Sequence, residues 1–126
     1  MRILIAAGGT AGHINPALAI ASVIKQHCPA AEIRFAGRKK GMEYALVTKA
    51  GYAFHPIEVN GIQRHLTPQN IARNVVSVYH LALAVPRANA ILNEVKPDLV
   101  IGAGGYVSGP ILQAAARKGI KTAIHE

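Results

Sequence analysis

Short apolar runs alternate with longer amphipathic stretches along the whole chain. Runs such as Ile3–Ala6 and Leu99–Ile101 are typical of strands that are buried on both faces. Between them, apolar residues recur every three or four positions, which predicts amphipathic helices. The predicted strands are Arg2–Ala6, Glu32–Ala36, Ala53–Ile57, Asp98–Ile101 and Lys121–Ile124. The predicted helices are Asn15–His27, Met42–Ala50, Thr67–Val85 with a further piece to Val95, and Pro110–Lys118.

This alternation predicts an α/β fold with a doubly wound, Rossmann-like parallel sheet. Right-handed crossovers give the strand order 3-2-1-4-5. Strands one and four are then neighbours, and the winding reverses between them, where ligands bind in folds of this type. The length of 126 residues and the 51% hydrophobic composition fit one domain, residues 1–126.

Two similar glycine-rich loops follow strands one and four. The first is Ala7–His13 (AGGTAGH) and the second is Ala103–Gly109 (AGGYVSG); a helix opened by a proline, Pro16 or Pro110, is predicted after each. A glycine turn that leads into a helix offers free backbone N–H groups and the positive end of the helix dipole to an anion. Two such sites in one crevice predict a ligand with two linked anionic groups, such as a pyrophosphate.

A dinucleotide site is the competing interpretation of the first loop. Gly9 and Gly12 fit the dinucleotide fingerprint, but Ala7 stands where its first glycine belongs. The end of strand two carries Arg38 instead of the acidic residue that binds the ribose of NAD. NAD is therefore disfavoured, whereas NADP bound through Arg38 remains an alternative.

The charge and the absence of targeting signals indicate a cytoplasmic protein with an anionic partner. The chain carries 14 basic and 6 acidic residues, a net charge of +8, which suits nucleic acid, anionic lipid or a phosphorylated substrate. Scattered basic residues and few aromatics argue against nucleic acid. The sequence shows no signal peptide and no run long enough to span a membrane. The single cysteine fits a reducing compartment.

The helix predicted from Thr67 has an apolar arc wider than a core-facing helix needs. One interpretation is a helix packed on two sides or against a second subunit. The other is an apolar patch with a basic rim that touches anionic membrane. The residues predicted for that contact are Arg73, Val76, Tyr79, Leu83 and Arg87.

Several motifs together resemble the MurG family, the N-acetylglucosaminyltransferases that convert lipid I to lipid II in peptidoglycan synthesis. They are Gly8–Ala17, Gly37–Glu43, Lys96–Asp98, Gly104–Pro110 and His125–Glu126. The resemblance implies the N-terminal, acceptor-binding half of a GT-B glycosyltransferase, in which two Rossmann-like domains face a cleft. It also implies that UDP-GlcNAc is held mainly by a C-terminal half or partner chain, so that this chain alone transfers no sugar. Ala11 stands where the family often has glycine.

By this resemblance, the C4 hydroxyl of lipid-linked MurNAc attacks C1 of GlcNAc, and His13 is the catalytic base. The helix dipole disfavours the charged imidazolium of His13, although the ring could instead only orient the loop or bind a phosphate. The expected substrate-binding residues are Gly9, Thr10, Ala11, Gly12, Gly104, Gly105, Tyr106, Val107, Ser108 and Glu126. Ser108 is also expected to cap the following helix.

The sequence and the resemblance together lead to further expectations about the protein in the cell. Neither a metal nor a cofactor is expected. The predicted partners are the lipid I pyrophosphate and the anionic inner face of the cell membrane, where the protein would bind peripherally. The alternatives are the membrane-anchoring half of a split glycosyltransferase, which recruits a catalytic partner, and an NADP-binding enzyme.

Overall fold

A computed structural model describes residues 1–9, 11–57, 84–105 and 107–125. The strands are β1 (Arg2–Ala6), β2 (Glu32–Gly37), β3 (Ala53–Pro56), β4 (Leu99–Gly102) and β5 (Lys121–Ile124). The helices are α1 (Ala11–His27), α2 (Met42–Lys49), α3 (84–95) and α4 (Ser108–Arg117). The helix predicted from Thr67 lies outside these residues except for its last two positions.

The described strands form one parallel sheet with the order β3-β2-β1-β4-β5. This confirms the predicted doubly wound α/β topology. Ala6 at the end of β1 is in register with Ala36 of β2 and Gly102 of β4. The carboxyl ends of the central strands therefore lie level, and both glycine loops leave from the same edge of the sheet.

The sheet is buried between two layers of helices. Leu4 and Ala6 pack on the face covered by α3 and α4, and Ile3 and Ile5 pack on the face covered by α1 and α2. Successive side chains of a strand point to opposite faces, so an unbroken apolar run such as that of β1 serves both layers. Many of the facing helix residues are alanines, for example Ala17, which let the helices lie close to the sheet.

The prolines mark helix boundaries less well than expected. Helix α1 begins at Ala11, so Pro16 lies inside it instead of opening it. Pro16 cannot donate the hydrogen bond that the Gly12 carbonyl would receive, but Gly12 is exposed and water can take that place. Pro86 also has helical residues on both sides, as expected if the proline only kinks the helix. Helix α2, by contrast, ends where a glycine follows: its C-cap is Ala50, and Gly51 comes next with a φ of 89°.

No helix in the described ranges is both long and apolar enough to cross a membrane.

His55 is a buried polar residue on β3, with 7% of its surface exposed. Its Nδ1 lies 3.9 Å from a carboxylate oxygen of Glu94 on α3, and its Nε2 lies 3.4 Å from Nη1 of Arg34. Burial lowers the pKa of His55 below its ordinary 6.5; Glu94 acts in the opposite direction, and the cations Arg34 and Arg87 add to the lowering. The fold therefore favours the neutral imidazole.

We expect the free energy of unfolding to decrease as the pH falls below 6.5, the ordinary pKa of histidine. Below that pH, the unfolded chain binds a proton at His55 that the folded chain resists. The contribution of the neutral His55 to stability is therefore fully present above pH 6.5 and declines below it. Urea unfolding at about pH 7.5 and about pH 5.5 measures the difference. His55→Gln should reduce this loss, and His27→Gln, which alters an exposed histidine, should not. An unchanged loss in His55→Gln would contradict the account.

Candidate functional site

The two glycine loops touch each other through their backbones. Gly105 has a φ of +85°, and a Cβ atom placed on it would collide with the carbonyl oxygen of Gly8. A backbone with this φ favours glycine, and the close approach leaves no space for a side chain. The predicted convergence of the loops is thus confirmed: they meet where the sequence predicts a crevice, beyond the ends of β1 and β4.

His13 lies across both loops. Its Nδ1 is 3.0 Å from the carbonyl oxygen of Gly8. A carbonyl oxygen can only accept a hydrogen bond, so Nδ1 carries the proton and Nε2 of the neutral ring keeps a free lone pair. On the other side, a Cβ on Gly104 (φ +106°) would lie 2.5 Å from Cδ2 and 2.9 Å from Nε2 of His13. The ring is half-buried in the first turn of α1, with its basic nitrogen beside the second loop.

Ser108 holds the second loop in place from below. Its hydroxyl lies 2.8 Å from the carbonyl oxygen of Gly104 and 3.0 Å from that of Ala6, and its N–H donates to the carbonyl of Gly105. The expected helix-capping role of Ser108 is wrong, because Val107 is the N-cap of α4. The reason is that the hydroxyl donates back to the loop and to β1 and does not accept from the helix N–H groups. The Ser108 side chain is enclosed by these groups, with 6% of the residue exposed.

Of the remaining predicted site residues, the structure describes one group and not the other. Gly9 is exposed, with a φ of +94° and no described atom within 4 Å of an added Cβ, so its backbone faces open space. Ala11 and Gly12 are the first residues of α1. The side chain of Val107 is buried against Gly8, with 1% of the residue exposed. Outside the described residues lie Thr10, Tyr106, Glu126, Arg73, Val76, Tyr79 and Leu83.

Arg87 belongs to the set predicted for membrane contact, and it lies on α3. Its Nε donates to the carbonyl oxygen of Pro56, 3.0 Å away, at the end of β3. This hydrogen bond joins α3 to the end of the sheet that carries the glycine loops. Arg87 is otherwise exposed.

Glu43 is a feature of the site that sequence reasoning missed. It is the second residue of α2, is completely buried, and accepts a hydrogen bond of 2.7 Å from the N–H of Arg38 through Oε1. Its carboxylate lies directly against Gly8. The available signal was the pair of glycines at 37 and 41 just before the only acidic residue of α2, which leaves room for a side chain to fold back.

A doubly wound parallel sheet with paired glycine loops at its switch point defines the general class: a Rossmann-like α/β domain. The family model described as the glycosyltransferase family 28 N-terminal domain matches residues 3–126. The chain belongs to this family.

Individual relatives agree with this assignment. A protein of Ruminiclostridium cellulolyticum is 48% identical to this chain over all 126 residues. The aligned region makes up 34% of that protein. That protein is named UDP-N-acetylglucosamine--N-acetylmuramyl-(pentapeptide) pyrophosphoryl-undecaprenol N-acetylglucosamine transferase. The crystal structure of Acinetobacter baumannii MurG matches 99% of this chain and 34% of its own, with a TM-score of 0.79 and 29% identity. The chain thus spans about a third of the length of these relatives.

A more distant neighbour shows the fold alone. The Streptomyces glycosyltransferase SsfS6 matches 98% of this chain and 38% of its own, with a TM-score of 0.67 and 22% identity.

We predict that Gly105→Ala destabilises the protein more than Gly119→Ala. Both glycines have positive φ, +85° and +75°, so both changes carry the backbone cost of about 1–2 kcal/mol. Only at Gly105 would the new methyl group also meet backbone, that of Gly8, which cannot rotate away. Urea unfolding of the two variants gives the comparison. Equal losses of unfolding free energy in the two variants would show that a methyl group at position 105 does not collide with the Gly8 backbone.

Proposed function

We propose that residues 1–126 form the acceptor-binding wall of an inverting glycosyltransferase that moves GlcNAc from UDP-GlcNAc to lipid I. The names of the curated relatives state this donor and this acceptor. The observation that carries the proposal is the geometry of His13. An imidazole held by its Nδ1–H, with Nε2 beside Gly104 of the second loop, is the arrangement that a general base needs.

In this mechanism the C4 hydroxyl oxygen of MurNAc attacks C1 of GlcNAc. The hydroxyl proton passes to Nε2 of His13 as the new bond forms. The bond from C1 to the diphosphate oxygen breaks, and UDP leaves with the electron pair. The Gly8 carbonyl keeps the ring oriented during the transfer, and its oxygen accepts a stronger hydrogen bond once the imidazolium has formed.

The pyrophosphate of the acceptor is assigned to the two loops. Each loop leads into a helix, α1 or α4, so backbone N–H groups and two positive helix ends lie near one crevice. Gly9, Ala11, Gly12, Gly104 and Gly105 would contact the ligand through their backbones. Thr10, Tyr106, Val107, Ser108 and Glu126 complete the proposed acceptor site.

The donor is assigned to a part of the enzyme that this chain does not include. The chain covers 34% of the R. cellulolyticum relative, and UDP-GlcNAc would be held mainly by the remaining two thirds. An NADP site at Arg38 is not favoured, because the relatives carry the name of a sugar transferase.

Peripheral binding at the inner face of the cell membrane follows from the proposed acceptor, whose undecaprenyl chain stays in the bilayer. The net charge of +8 supports attraction to an anionic surface. The protein should sediment with vesicles that contain anionic lipid, and less so at high salt, because salt screens exposed charges. Val76→Ser combined with Leu83→Ser should weaken sedimentation while the melting temperature stays near its original value. Unchanged sedimentation of this variant would exclude a role of the predicted apolar patch in membrane binding.

His13→Ala should reduce turnover by about 10²–10⁴-fold, the usual contribution of a general base. The variant is made in a chain completed with the C-terminal two thirds of the R. cellulolyticum relative, and GlcNAc transfer to a short-chain lipid I analogue is measured. His27→Ala, at the far end of the same helix, is the matched control and should leave turnover unchanged. Near-normal turnover of His13→Ala would remove this residue from the mechanism.

A further inference from the structure

Glu43 occupies a space formed by three glycines. A Cβ on Gly8 would lie 2.9 Å from Oε1 of Glu43, and a Cβ on Gly37 would lie 2.7 Å from its Cγ. A Cβ on Gly41 would collide with Oε2. These three glycines come from the first loop, the end of β2 and the turn before α2. The Glu43 side chain therefore packs against three separate backbone segments.

The carboxylate is only half satisfied in this position. Oε1 accepts the Arg38 N–H at 2.7 Å, whereas Oε2 is buried without a hydrogen-bond partner among the residues that the structure describes. Burying a carboxylate with an unpaired oxygen costs stability, which an apolar side chain of similar size would avoid. What Glu43 contributes here is the hydrogen bond that its carboxylate accepts from the 38–41 turn and a side chain long enough to reach Gly8.

Gly8 lies between Glu43 and the crevice. On one side it rests against Oε1 of Glu43; on the other, its carbonyl oxygen accepts the Nδ1–H of His13 and contacts Gly105. A displacement of the carboxylate would move Gly8, and the bond that determines the protonated nitrogen of His13 would lengthen.

We propose that Glu43 is a positioning residue for His13. It supports Gly8 from beneath, so that the Gly8 carbonyl stays directed at Nδ1 and the lone pair stays on Nε2. The inference deepens the proposed function and rests on it, since the orientation of His13 matters most if His13 is the base.

The test measures the His13 tautomer in the ligand-free 126-residue protein by long-range ¹H–¹⁵N NMR at a pH where the ring is neutral. Glu43→Asp shortens the side chain, and Gly41→Ala displaces the carboxylate without removing it. Both should raise the ratio of the Nε2–H to the Nδ1–H form by about two- to tenfold, the effect of weakening one ordinary hydrogen bond. Glu43→Gln keeps the length and the Oε1 acceptor and should retain the original tautomer.

Glu94→Asp makes the same chemical change at an exposed position of α3 and should leave the His13 tautomer unchanged. Melting temperatures are recorded for all variants, because a purely structural Glu43 would lower stability in Glu43→Asp without altering the tautomer. That result would overturn the proposal. So would a raised ratio of the Nε2–H to the Nδ1–H form of His13 in Glu43→Gln. If Glu43→Asp does not fold, Gly41→Ala carries the comparison, since it leaves Glu43 in place.

This readout separates the inference from the proposed function. The tautomer is measured without substrate and without sugar transfer. A completed enzyme that transfers no GlcNAc would contradict the proposed function, whereas an unaltered tautomer in Gly41→Ala and Glu43→Asp would contradict only the role of Glu43.

Discussion

The crevice depends on the close approach of the Gly8 and Gly105 backbones. Neighbouring parallel strands lie only about 4.8 Å apart, so the loops that leave β1 and β4 side by side have little space between them. Glycine at both positions lets the loops meet without a side chain between them. The same approach brings His13, which follows the first loop, against Gly104 of the second. If one loop moved away, the pairing of the two helix ends and the position of His13 would both be lost.

The topology could be predicted from the sequence because it depends on periodicity. Alternating buried runs and amphipathic stretches allow few arrangements once right-handed crossovers are required, and the observed strand order is the predicted one. The meeting of the two loops followed from the same reasoning. Glycines after adjacent central strands must lie close together, whatever the rest of the chain does.

Local details depended on contacts that periodicity does not contain. Pro16 was a poor guide to the start of α1, because the carbonyl it leaves without a partner, that of Gly12, is exposed. The hydroxyl of Ser108 donates to carbonyls of the loop and β1, a choice that only the folded neighbours decide. Glu43 was missed as a site residue because a carboxylate in the first turn of a helix ordinarily stays at the surface. Here the glycines at 8, 37 and 41 let it fold inward.

The central claim is that both loops hold one pyrophosphate while His13 faces the acceptor hydroxyl. The same fold occurs in glycosyltransferases only 22% identical to this chain, so the fold alone does not decide the substrate. A crystal structure of the chain with a short-chain lipid I analogue tests the claim most directly. The account predicts backbone N–H contacts from both loops to the pyrophosphate, and the C4 hydroxyl oxygen within about 3 Å of Nε2 of His13. A pyrophosphate held by one loop only, or a C4 hydroxyl turned away from His13, would contradict it.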